Sequence, residues 1–229
     1  MVIKMKRSEI NEVIKRAEAM FAEKKFHLPP FAFFTPKQWT EKGDEYSEIR
    51  DNMLGWDITD HGTGDFSKMG LVLFTIRNGN QHNEAYTKTY AEKLIVLEEG
   101  QKCPCHFHWS KMEDIINRGG GNMMMQVYNS TEDGELADTS VMVSIDGRRC
   151  KVEAGSVIRL MPGESITLTH GMYHAFWCED GFGAVMIGEV SQCNDDNTDN
   201  RYLEPIGHFP KIDEDEAPYR LLCTEYPTV

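Results

Sequence analysis

No run of apolar residues in this chain approaches the ~20 that a membrane-spanning helix requires, so none is expected. Positive charge is scarce. Lysine and arginine number 24 against 37 aspartates and glutamates, for a formal net charge of −13. A nucleic-acid backbone or an anionic lipid surface needs a positive face, so neither is expected as the main partner. The same balance suits a bound metal cation and a neutral, polar small molecule. Cysteine is sparse too: Cys103, Cys105, Cys150, Cys178, Cys193 and Cys223, with no CxxC pair. The N-terminus, MVIKMKRSEI, is charged and lacks the apolar stretch of a secretory leader. Together these features predict reduced thiols and a cytoplasmic location. Cys103 and Cys105 are soft metal donors in principle, but small strand side chains are the ordinary reading.

The clearest helix is 8–24, SEINEVIKRAEAMFAEK, with Ser8 as N-cap and Glu9 and Glu12 favourably placed against the helix dipole. Ile10, Val13, Ile14, Ala17, Met20 and Phe21 form its apolar stripe, which reads as core packing. HLPPFAFFTPKQW (27–39) is too rich in proline to continue the helix, and a short helical stretch begins near Thr35. The span 52–66 reads as loop or turns. From Gly70 the texture changes to short runs such as KLIVLEEG, CPCHFHW, SVIRLMPG and AVMIGEV, most of them ending in Gly or Asn. Many short strands at roughly ten-residue spacing predict an all-β sandwich or barrel. The expected organisation is one domain over 1–229. It has an N-terminal helical arm with loops (1–66), a β-barrel (67–193) and an acidic, turn-rich C-terminal wrap (194–229).

One segment carries chemistry: Gly100-QKCPC-His106-F-His108-WSKM-Glu113-DIINRG-Gly120. Two histidines two apart on a strand share a face, so both imidazoles can reach one ion. Glu113 lies at an odd offset from His108. It joins them only if the chain turns at Trp109–Met112 and re-enters as the next strand. A third histidine comes from His174 or His170, and the turn at Gly171 followed by the strand-like YHAFW favours His174. Three imidazoles and a carboxylate suit Mn²⁺, Fe²⁺, Co²⁺ or Zn²⁺ with open positions. Lys111 lies between the ligands and is either a solvated surface lysine or a group whose amine reaches substrate oxygens, where a nearby ion would lower its pKa. Glu189, in AVMIGEV, shares strand parity with Val185 and Ile187 and so points into the barrel. It is the candidate base, ahead of Asp195, Asp196, Asp199 and Glu204 in the tail, the rival reading being a carboxylate at the strand end paired with a surface base. Trp56, Phe107, Trp109 and Phe176 either wall a pocket or, in the ordinary reading, pack in the core. Met123–Met125 reads as strand core, Gly119–Gly121 as a hairpin turn, and the DEDE of 213–216 as a solvated acidic surface.

Residues 100–120 resemble the first cupin motif, G(x)5HxH(x)4E(x)6G, at every fixed position. Residues 163–174 resemble the second through Gly163, Gly171 and His174, with Thr169 where proline is usual and Cys178 where asparagine is usual. The wider chain resembles the bacterial D-lyxose isomerase family of cupins. The carrying stretches are KRSEINEVIKRAE, FHLPPFAFF, DNMLGWDITDHGTGDF, GLVLFTIRNGN, HFHWSKMEDIINRGGGN and GEVSQCNDDNTDN. The resemblance implies a cupin (double-stranded β-helix, or jelly-roll) barrel. It implies a metal-dependent aldose–ketose isomerase converting D-lyxose to D-xylulose through an enediol, with D-mannose to D-fructose as a second candidate conversion. It makes His106, His108, Glu113 and His174 the ligands of a divalent ion, Mn²⁺ in the family. A homodimer acting on a small sugar is expected. An Fe²⁺ cupin oxygenase and a non-catalytic sugar- or metal-binding cupin are the competing expectations.

Overall fold

The computed structural model describes residues 4–196, 198–207 and 210–228. The chain opens with β1 (Met5–Lys6) and α1 (Arg7–Glu23). The N-cap is Lys6, two residues before the predicted Ser8, and its N–H donates to Glu9 Oε2 at 2.9 Å. Ser8 instead gives its N–H and hydroxyl to the Asp215 carboxylate, at 2.9 and 2.7 Å. Short helical turns follow, including Pro36–Trp39, which Thr35 caps as its position predicts.

The strands come next in chain order: β2 (Gly55–Thr59), β3 (Leu71–Arg77), β4 (Tyr90–Leu97), β5 (Lys102–His108), β6 (Glu113–Gly120), β7 (Met123–Ser130), β8 (Leu136–Ala137), β9 (Val141–Ile145), β10 (Arg148–Val152), β11 (Val157–Leu160), β12 (Ser165–Leu168), β13 (Met172–Cys178), β14 (Val185–Gln192), β15 (Asn200–Tyr202) and β16 (Ile212–Asp213). They form an antiparallel sheet ordered β10-β9-β12-β6-β14-β4-β3-β2 and a second ordered β11-β7-β13-β5-β15, while β8 pairs with β7. The two sheets face each other in the cupin barrel. β2 corrects the loop reading of 52–66, for all five of its residues are buried against β3. Gly119–Gly121 is not a hairpin turn: it carries the chain from one sheet to the other, since β6 and β7 belong to different sheets.

Strand alternation sorts the apolar residues into two cores. Leu71 and Leu73 of β3, Ile95 and Leu97 of β4, and Met123, Met125 and Val127 of β7 fill the space between the sheets. On the outer face of the larger sheet, Val72, Phe74, Leu94, Val96 and Met186 pack against Ile10, Ile14, Ala17 and Phe21 of α1. Both faces of β3 and β4 are thereby covered, which is why these strands read as nearly continuous apolar runs. Trp56 belongs to this outer core, edge-on to Phe74 with ring centroids 5.0 Å apart, and Phe107 is fully buried.

The acidic tail is not merely solvated. β16 pairs in parallel with β1, and Glu214, Asp215 and Glu216 bond Arg7, Ser8 and Asn11 of α1. No helix of the described residues is long and apolar enough to cross a membrane.

A candidate metal centre between the two sheets

His106 and His108 lie on the inward face of β5, as their spacing requires. β13 runs antiparallel to β5 with His174 opposite His106. The three rings gather with centroids 4.2 Å (His106–His174), 5.1 Å (His106–His108) and 5.6 Å (His108–His174) apart. One nitrogen from each lies within 4.8 Å of the others. His170 stays at the exposed turn, 3.3 Å from Gln192 Oε1 and outside the cluster. The departures at Thr169 and Cys178 leave this turn closed, since Met172 N–H donates to the Thr169 carbonyl at 3.1 Å.

Backbone carbonyls set the tautomers. Nδ1 of His106 lies 2.8 Å from the Pro104 carbonyl and Nδ1 of His174 lies 3.0 Å from that of Met172. A carbonyl only accepts, so each Nδ1 carries the proton and each Nε2 keeps its lone pair. Nε2 of His108 and of His174 is buried without a hydrogen-bond partner. A buried imidazole nitrogen with a free lone pair is costly unless something ligates it.

Glu113 arrives from the opposite sheet. The chain turns at Trp109–Met112, crosses the barrel and re-enters as β6. Its Oε1 lies 3.3 Å from His108 Nε2 and 3.2 Å from His174 Nε2. Burial alone would raise its pKa, but the Lys111 ammonium and the neighbouring imidazoles hold it well below the usual carboxylate range. Burial, aided by the other two imidazoles, drives His106 well below its usual value, and burial with Lys111 lowers His108. His106 and His108 are thus favoured as neutral imidazoles beside an anion, the protonation states a divalent cation requires.

Lys111, only 3% exposed, bridges the two carboxylates. Its Nζ is 2.8 Å from Glu113 Oε2 and 2.9 Å from Glu189 Oε1. Burial opposes its charge, but the pull of Glu113 and Glu189 outweighs burial and raises its pKa. Glu189 faces inward on β14, as its parity predicts, and also accepts from the Ser191 hydroxyl at 3.1 Å.

Sequence reasoning missed Lys93. It lies opposite Glu189 in the β4–β14 pair, 3.6 Å from the Glu189 carboxylate, and donates to Asn194 Oδ1 at 2.6 Å. The available signal was a lysine in inward register with Ile95 and Leu97 inside an apolar strand. Tyr202 was missed as well; it stacks on His106 with centroids 5.2 Å apart. Together with Phe176 these groups line a cavity of about 60 Å³, room for an ion and a few small ligand atoms. Trp109 is exposed and Phe107 lies in the core, so neither walls it.

The family model for D-lyxose isomerase matches residues 5–226. The chain is 50% identical over 224 residues to a D-lyxose/D-mannose isomerase of Serratia proteamaculans, covering 97% of this chain and 98% of that one. It is 48% identical over 223 residues to its counterpart in Escherichia coli O157:H7, again covering 97% and 98%. Among solved structures, L-ribose isomerase of Acinetobacter sp. DL28 in complex with L-ribose superposes with a TM-score of 0.63 at 15% identity, covering 92% of this chain and 99% of that one. L-ribose isomerase of Geodermatophilus obscurus matches with the same score, identity and coverage. At such low identity these two likenesses speak for the barrel alone. The relatives at half identity, matched end to end, speak for more: the chain belongs to the D-lyxose isomerase family.

Proposed function

We propose that this protein interconverts D-lyxose and D-xylulose, and D-mannose and D-fructose, at a divalent ion held by His106, His108, Glu113 and His174. The observation that carries this reading is the buried Lys111 ammonium shared between Glu113 and Glu189 beside three inward-facing imidazoles. A ligand, an acid and a base are in contact there.

The residues fit an ion on their own chemistry. Two of the three Nε2 atoms are orphaned, the carboxylate is anionic, and among the described residues no cysteine sulfur joins the gathered imidazole nitrogens. Mn²⁺ is the proposed ion, with Co²⁺, Fe²⁺ and Zn²⁺ able to occupy the same donor set. When bound, such an ion supplies Lewis-acid stabilisation of negative charge on neighbouring sugar oxygens.

Proton movement falls to the chain. In the forward direction the Glu189 carboxylate takes the proton from C2 of the open-chain aldose. The Lys111 ammonium protonates O1, which closes the enediol. Glu189, whose proton exchanges with solvent during the life of the enediol, then protonates C1, and the O2 proton passes to the Lys111 amine, which leaves a ketose and both groups in their starting states. Held by the histidines, a dication would oppose the pull of Glu113 and Glu189 on the Lys111 proton. Lys111 and Glu189 are only 3% and 5% exposed, and in such surroundings their electrostatic contacts are stronger than in water. We further propose that the enzyme is a cytoplasmic homodimer forming one domain with the boundaries given above.

The test is to incubate Mn²⁺-loaded protein with D-lyxose and D-mannose and to look for D-xylulose and D-fructose, in H₂O and in D₂O. Ketose carrying solvent deuterium at C1 is the expected result. Failure to form ketose from either sugar would overturn the reading, and complete retention of the substrate hydrogen would replace proton transfer by a hydride shift. Oxygen uptake by the Fe²⁺ form would favour an oxygenase.

A further inference from the structure

The turn that carries Lys111 is tied down from outside itself. Trp109 N–H donates to the Asp199 carbonyl at 3.0 Å. Ser110 gives its N–H and its hydroxyl to Asp199 Oδ1, at 2.7 and 2.5 Å. Lys111 N–H donates to Asp199 Oδ2 at 3.1 Å, and Met112 N–H to Gln192 Oε1 at 2.9 Å. One buried side chain, 88 residues on in sequence from Lys111, therefore holds two consecutive amides and a hydroxyl of a turn that has no regular structure. Asp199 stands directly before β15, whose Asn200 pairs with His108, so the strand that flanks the metal ligands also delivers this carboxylate.

We propose that Asp199 is a positioning residue of the isomerisation: its carboxylate fixes the backbone at Ser110–Lys111 and so sets the Lys111 amine between Glu113 and Glu189. The proposal rests on the isomerase reading for the role of Lys111. A lysine side chain has four rotatable bonds, and its amine keeps one place only if its Cα does. Backbone bonds hold the ends of the turn, Trp109 N–H to the Asp199 carbonyl and Gln192 N–H to the Met112 carbonyl at 3.0 Å, whereas Ser110 and Lys111 between them are held by a carboxylate that accepts three hydrogen bonds. Asparagine cannot substitute, because its NH₂ group would meet an N–H donor on one side. Asp199 makes no hydrogen bond to a metal ligand, for its Oδ2 lies 3.8 Å from His108 Nδ1.

The experiment compares wild type, Asp199→Asn and the milder Ser110→Ala, which removes only the hydroxyl contact. Steady-state kinetics on D-lyxose with Mn²⁺, manganese per chain, the melting temperature and amide hydrogen exchange at Ser110 and Lys111 are measured for each. Asp199→Asn is expected to lower kcat about 100-fold and leave KM within about threefold, as for a reacting group misplaced by about 1 Å. Exchange at the two amides is expected to quicken at least about tenfold while the rest of the barrel stays protected. Manganese content is expected to remain at the wild-type level, and Ser110→Ala to fall in between. In a Lys111→Arg background, Asp199→Asn should cost little more, since both changes act on one amine.

Three results would each overturn the proposal. They are unchanged amide protection in Asp199→Asn, faster exchange with kcat within about threefold of wild type, and a loss of activity that follows a loss of manganese. If Asp199→Asn does not fold, the Ser110→Ala data decide alone by the same criteria. Wild-type protein that turns over no aldose would sink the isomerase reading instead, and exchange at Ser110 and Lys111 would still report whether Asp199 holds the turn.

Discussion

At His106 and His174 the backbone decides which ring nitrogen is free. The Pro104 and Met172 carbonyls take the Nδ1 protons, so both Nε2 lone pairs point at the same small volume. His106→Ala removes one donor and is expected to weaken Mn²⁺ binding by at least about 100-fold, measured by competition with a chelator. Lys111 makes a different prediction. Lys111→Met keeps most of the side-chain volume but removes the proton donor. On metal-loaded protein it should lower kcat by about 10²–10⁴ while manganese per chain stays at the wild-type value. The pair of variants separates holding the ion from moving the proton. If both lose the ion together, Lys111 is a structural counter-charge to Glu113 and nothing more. The same reasoning shows what was legible. The side-chain period of a strand is two, so His106 with His108, and Glu189 with Val185 and Ile187, could be assigned to one face from the sequence alone. The same period puts Lys93 inward with Ile95 and Leu97, but not its partner Glu189, 96 residues on, and Asp199 carries no periodic signal for its contact with Lys111, 88 residues back.

Elements show the same division between what is local and what is not. α1 was readable because its stripe at spacings of three and four is a local signal, although its first residue was set by the distant Asp215 claiming Ser8. The crossing between β5 and β6 brings Glu113 to the histidines. That crossing depends on the two strands joining different sheets, and no local propensity encodes it. The run DEDE looked like solvated surface because local composition says nothing of a partner 207 residues upstream. That partner is Arg7, whose side chain is only 2% exposed and bonds both Glu214 and Glu225. Arg7 thus pins the C-terminal tail to α1, and with it the segment returning from β15. Arg7→Ala strips a buried guanidinium from two carboxylates and is expected to cost about 3 kcal/mol in stability, read from urea unfolding. Arg7→Lys keeps the charge but not the two-sided fork, and should recover only part of that loss. An effect below about 0.5 kcal/mol for Arg7→Ala would mean that the latch is ornamental and that the apolar contacts of α1 hold the arm alone.

For the molecule as a whole the question is how far the ion belongs to the fold. Small zinc domains are unfolded without metal because they have no other core. This chain has two cores, one between the sheets and one under α1, and both consist of apolar side chains that owe nothing to an ion. The imidazoles at 106 and 174 are already oriented by carbonyls of their own strands, so the binding geometry does not wait for the metal. The metal-free protein is therefore expected to keep its β-sheet circular dichroism and a cooperative melt. Mass action still links the ion to stability, and Mn²⁺ at about 100 times its dissociation constant contributes about 2.7 kcal/mol. For a chain of this length that corresponds to roughly 5–10 °C in Tm. Chelation should lower Tm by that amount, restoring Mn²⁺ should raise it with the logarithm of concentration, and His106→Ala should abolish the dependence. A Tm indifferent to Mn²⁺ would mean that the four donors hold no ion in solution. Collapse on chelation would mean that the two apolar cores cannot carry the barrel, and that the ion is a structural member of the fold as well as the centre of its chemistry.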